Sequence, residues 1–141
     1  MDVSEVRRRV NEAIDRAKRD AARRRTLSDE AAREWPAFLE NVAVPLVRQV
    51  ANVLKVERYA FTVFTPGSGV RLMSDRRQED FVELTLDTTG REPVVMGRVS
   101  YARGGHVVVT ETPIASGAIR EISEERVLTF LLDAIVLLVE R

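Results

Sequence analysis

Apolar residues near the start of the chain fall at Val3, Val6, Val10, Ala13, Ile14, Ala17 and Ala21, steps of three and four that place them on one stripe of a helix. The stripe is thin. It holds valines and alanines rather than leucines, so it buries modest area and is expected to pack loosely or against a second chain. Thr26 to Asp29 interrupts the pattern, with Ser28 as the expected N-cap of a second helix. The second stripe is broader: Trp35, Phe38, Leu39, Val42, Leu46, Val47, Val50, Val53 and Leu54. Pro36 suits a first turn. Pro45 lacks an amide and clashes with the preceding turn, so a kink is expected near Val42 to Val44.

From Glu57 the period changes to two and the residues become β-branched and aromatic. Five strands are predicted: Tyr59 to Thr65, Val70 to Met73, Asp80 to Thr88, Val94 to Ala102 and His106 to Thr112. Their connections are too short for crossover helices, which predicts an antiparallel meander. Gly104-Gly105 is the strongest hairpin signal, because a two-residue type I′ turn needs positive φ twice. In the third strand Val82, Leu84 and Leu86 oppose Phe81, Glu83, Thr85 and Asp87; in the fifth, Val107 and Val109 oppose His106, Val108 and Thr110. One apolar and one mixed face means helices on a single side of the sheet.

The segment Ser123 to Arg141 opens with a capping serine and two first-turn glutamates, then is apolar around almost its whole circumference. One sheet face cannot cover such a helix. Its outer side is expected to meet the N-terminal helices or another subunit.

These elements make residues 1–141 a single α+β domain: two N-terminal helical segments, the second kinked at Pro45, a five-stranded antiparallel meander sheet, and a C-terminal apolar helix packed on one sheet face. Within it, residues 1–25 form a basic amphipathic helix that can serve as an arm or oligomerisation helix, 26–56 are helical, 57–113 the sheet and 123–141 the closing helix. The 141 residues, 45% hydrophobic and 31% charged, match ordinary globular usage and fall outside the disordered class. There is no cysteine, which excludes disulfides and thiolate chemistry and fits a reducing cytoplasm, the expected compartment. No apolar stretch resembles a secretory leader or a membrane span, so no membrane partner is expected.

Basic and acidic residues balance at 22 each, but unevenly along the chain. Residues 1–25 hold nine Arg or Lys against five acids; residues 111–141 hold six acids against three arginines. Complementary ends can attract within or between chains.

Candidate chemistry is sparse. His106 has no partner carboxylate or nucleophile marked beside it and reads as an ordinary strand histidine. No His or carboxylate spacing suggests a metal, and no cofactor is implied. Pro66-Gly67-Ser68-Gly69 lies between strands with no helix behind it, unlike a P-loop, and Ser68 and Ser116 lack the surroundings of a nucleophile elbow. Arg76 and Arg77 read as a solvated loop able to meet an acidic partner. No catalytic residues are assigned, and the chain is not expected to be an enzyme.

The leading expectation is therefore a protein–protein interaction or oligomerisation module, with Val3, Val10, Ile14, Leu128, Leu132, Val136 and Val139 at the interface and the chain itself or another protein as partner. A second is a small-molecule pocket between sheet and helices, drawing on Tyr59, Phe61, Phe81, Met96 and Tyr101. The third is a nucleic acid contact through Arg8, Arg9, Arg16, Arg23, Arg24 and Arg25. Neighbours on a helix point about 100° apart, so neither arginine triplet forms one patch, and interleaved acids favour pairing along the helix.

Overall fold

The computed structural model describes residues 1–140. A single helical rod opens the chain: α1 (Val3–Phe38), a π-helical turn (Leu39–Ala43) and α2 (Val44–Val56). Asp2 caps α1 by accepting from the Ser4 amide. No break occurs at Thr26 to Asp29, and Ser28 caps nothing: both expectations are corrected by a continuous helix. The segment contains no glycine or proline, and the Thr26 hydroxyl donates to the Ala22 carbonyl one turn back, satisfying itself inside the helix. Pro36 likewise lies within the last turns of α1 and not at a helix start.

The kink expected from Pro45 takes the form of the π turn. Val44 donates to the carbonyl of Leu39, five residues back, and this wider turn makes room at the point where Pro45 has no amide to give.

Past α2, Tyr59 donates to Leu54 (2.8 Å) and Arg58 to Lys55 (3.0 Å), a Schellman stop whose left-handed position, φ 70°, is held by Arg58. A side chain there is strained by roughly 1–2 kcal/mol, partly offset because a cation favours a helix C-terminus. Arg58→Gly is expected to raise stability by about 0.5 kcal/mol, read as a Tm increase of about 1–2 °C.

Five strands follow in the order of the chain: β1 (Phe61–Phe64), β2 (Val70–Ser74), β3 (Phe81–Asp87), β4 (Val94–Arg103) and β5 (His106–Ser116), each antiparallel to its neighbour. The Gly104-Gly105 turn between β4 and β5 has φ of 57° and 79°, the twice-positive geometry of the predicted type I′ hairpin.

The rows Val63, Leu72, Val82, Val99 and Phe61, Ser74 face the helices; Arg71, Glu83, Arg98 and Glu111 form a charged row across the other face, with Arg71 paired to Glu83. In β5 the faces are the reverse of those expected. Val108 sits opposite Tyr101 and is half-buried, while Val107 and Val109 are exposed on the outer face. Three consecutive valines carry no alternation to fix the phase, and a bulge at Ile114 shifts the register further along.

Asp87 closes β3 and accepts from the Thr89 hydroxyl (2.6 Å) and amide (2.9 Å). These bonds, the hydroxyl's first, hold its carboxyl below the ordinary 3.8. A depressed carboxylate contributes stability that is present above its unfolded value and lost as pH falls through the folded one. Thr89→Val should move Asp87 back toward 3.8, though not fully because the amide remains, as seen in its NMR titration.

A 3₁₀ turn (Ile119–Glu121) leads to α3 (Glu124–Val139), capped as expected by Ser123, whose hydroxyl accepts from the Arg126 amide at 3.2 Å. The core lies between the helices and one sheet face. It joins Trp35 and Phe38 of α1, Leu46, Val47, Val50 and Leu54 of α2, Leu72, Val82, Leu84 and Val95 of the sheet, and Val127, Leu131, Ala134 and Leu138 of α3. No helix among the described residues is long and apolar enough to cross a membrane.

Candidate interaction surface

Only the C-terminal part of α1 belongs to this core. Its first buried residue is Ala31, and apart from the half-buried Glu5 and Ala21 every residue up to Thr26 is exposed. At 1.5 Å per residue, residues 3–21 form a rigid arm about 30 Å long standing off the body. Its stripe is bare: Val3 is 73%, Val10 50% and Ile14 46% exposed. At 100° per residue the stripe stays roughly in phase with the face that buries Ala31, Trp35 and Phe38, interrupted between Ala21 and Ala31 by Arg24 and Ser28.

Cations border this stripe. Arg7, Lys18 and Arg25 recur at steps of eleven and seven, both of which return a helix to nearly the same side, and Arg9, Arg16 and Arg23 recur at sevens along the opposite edge. Arg8 bridges Glu5 and Glu12, and Arg9 pairs with Glu5. Arg24 falls within the apolar stripe itself. The six residues assigned to nucleic acid contact are thus spread round the helix, two of them tied to acids.

The closing helix is covered on one side only. Val127, Leu131, Ala134 and Leu138 face the sheet, whereas Leu132 is 52% and Val136 61% exposed, with Leu128, Ile135 and Val139 half-buried between. α2 flanks α3 and leaves an apolar groove of about 360 Å³, lined by Leu46, Gln49, Val50, Val53, Leu128 and Leu132 among others. Sequence reasoning placed Val53 in the core, but it is 64% exposed and forms the groove wall. Among the described residues no cation lines the groove, and Glu124 and Glu125 stand exposed on α3 one turn before Leu128, at the groove's end.

The aromatic residues assigned to a pocket do not meet. Phe61 and Tyr101 are on the helix face of the sheet, Phe81 and Met96 on the other. Phe81 is capped by the Arg71 guanidinium at 4.2 Å, and Tyr101 by Arg103 at 5.3 Å. Tyr59 and Phe61 do share a cleft of about 320 Å³ with Arg58, Arg76, Arg77, Ser74 and Leu138. It lies where α2 and α3 both end, so its arginines sit by the negative ends of two helix dipoles, which accounts for them without a ligand.

His106 is exposed at the start of β5, and the Ser68 carbonyl accepts from the Trp35 indole. Among the described residues no three His, Asp or Glu side chains converge where a metal could bind. Comparison of the chain with protein-family models, with curated proteins and with solved structures finds no match in any of the three.

Proposed function

We propose that this chain is a non-catalytic self-association module whose contact surface combines the arm of α1 with the outer face of α3. The observation carrying the reading is the bare stripe on the arm. A helix that is rigid, amphipathic and without a covering layer gains nothing from its apolar residues in a monomer, but the same residues at i, i+3, i+4 and i+7 are the anchors of helix docking. The half-covered α3 supplies a second apolar surface on the same chain. The cysteine-free composition supports a cytoplasmic setting, where thiol chemistry is not needed to hold an assembly together.

Light scattering coupled to size exclusion at micromolar concentration tests this. The chain is expected to run as a dimer or larger. The double variant Val10→Glu, Ile14→Glu is expected to run as a folded monomer, because both sites are exposed in the single chain, with its melting temperature lowered only by what association contributed. A wild-type monomer at these concentrations rules the reading out.

A further inference from the structure

We infer that the arm of one copy docks in the α2–α3 groove of a second copy, and reciprocally, so that two arms fill two grooves. The inference rests on the self-association reading and adds to it the occupant of each surface.

An arm cannot fold back to its own groove. From Val3 to Trp35 the helix contains neither glycine nor proline, and apart from its own continuation through the π turn α1 meets the body chiefly at the 3₁₀ turn Ile119–Glu121. The groove lies elsewhere, between α2 and α3. Only another molecule's arm reaches it.

The two surfaces complement one another. The arm offers small side chains, Val10, Ala13, Ile14 and Ala17, that let a helix backbone approach closely; the groove offers Leu128, Leu132, Val50 and Val53. Arg7, Lys18 and Arg25 edge the arm on a side whose acids within one turn of them are Asp15 and Asp29, and none of the three is in an ion pair within the described residues. Glu124 and Glu125, four and three residues before Leu128, edge the end of the groove, also without an ion pair within the described residues. Charge and apolar surface therefore match arm to groove.

They do not match arm to arm. Counted in sevens from Val3 and Val6, the flanking positions on one side are Arg9, Arg16 and Arg23, and those on the other are Arg7, Ile14 and Ala21. An antiparallel pair of arms sets arginine against arginine; a parallel pair sets Arg9 against Ile14 and Arg16 against Ala21. Neither contains an attractive pair at these flanking positions, and the same count carries Arg24 and Asp20 into the seam itself, where charge disfavours close packing. A reciprocal dimer also closes: both arms and both grooves are used, and no free surface is left to propagate a chain.

The absence of cysteine makes the test direct, since single introduced cysteines have no competitor. Ala13 is at the middle of the arm and Leu132 at the middle of the groove, so they meet whichever way the arm runs. Full-length Ala13→Cys and Leu132→Cys are purified separately, mixed and mildly oxidised. A disulfide heterodimer is expected from the mixture and little product from either alone, because only paired Cα atoms within about 7 Å can be bridged. In parallel, Glu124→Lys with Glu125→Lys should weaken the dimer at least tenfold at low salt, and Arg7→Glu with Lys18→Glu on the same chain should restore it. Efficient self-crosslinking of Ala13→Cys, or a wild-type dimer indifferent to both charge reversals, overturns the docking while leaving self-association standing. A monomer by light scattering overturns both.

Discussion

Trp35→Ala is expected to cost about 3–5 kcal/mol, the range for deleting a buried tryptophan, and to lower Tm by roughly 10 °C. Trp35 is the outermost large side chain of α1 inside the core, 2% exposed, stacked on Phe38 at a ring separation of 5.5 Å. Its indole Nε1 donates to the carbonyl of Ser68 in the β1–β2 loop. It is thus the last bolt before the rod leaves the body. Trp35→Phe keeps most of the buried area and loses the bond, about 1 kcal/mol, because the Ser68 loop is exposed and water can take the carbonyl. The difference between the two variants separates packing from hydrogen bonding. Trp35 is also the only tryptophan, so the comparison must be read by circular dichroism rather than indole fluorescence. Equal losses for both would mean that the hydrogen bond, not the ring volume, anchors the rod.

Most of the fold was legible because local signals and tertiary demands agree. The sheet announced itself through a period of two, short connections and a Gly-Gly turn, and the Pro45 kink through a missing amide. Two features were not. Thr26 to Asp29 holds residues that favour caps and turns, but nothing in it prohibits a helix, and the turns on either side carry it through. In Val107-Val108-Val109 the side chains are identical, so only pairing with β4 decides which one faces inward.

The candidate surface was legible on the arm and half-legible elsewhere. A thin stripe edged by arginines can be read from spacing alone, as can a helix apolar all round. Val53 could not be assigned, because an apolar residue on a helix is core only if another layer lies beyond it, and here α3 lies beside α2 and leaves a groove with Val53 on its wall. The pocket aromatics failed for the complementary reason: alternation separates neighbours such as Tyr59 and Phe61 from Phe81 and Met96, and only register shows which strands share a face.

How α3 sits on the sheet is set by a glycine. Gly97 lies in β4 with no side chain, and the ring of Phe130 occupies the space a Cβ would take, with its Cε atoms 2.6 and 2.7 Å from that position. Gly97→Ala is therefore expected to destabilise by about 1–3 kcal/mol, and Gly97→Val by the upper end of that range, since an overpacked core must shift backbone or force off-rotamer side chains. Phe130 is half-buried and can swing, which sets a test within the same pair: in a Phe130→Ala background the added methyl of Gly97→Ala meets open space and its cost should nearly vanish. An additive double variant would show that strand geometry, not the ring, forbids a side chain there. Whether the Phe130 ring swings or α3 lifts to make room, α3 is disturbed next to the α2–α3 groove. Gly97→Ala should then weaken self-association beyond what its lower stability explains, a loss visible by light scattering at temperatures well below its own melting point.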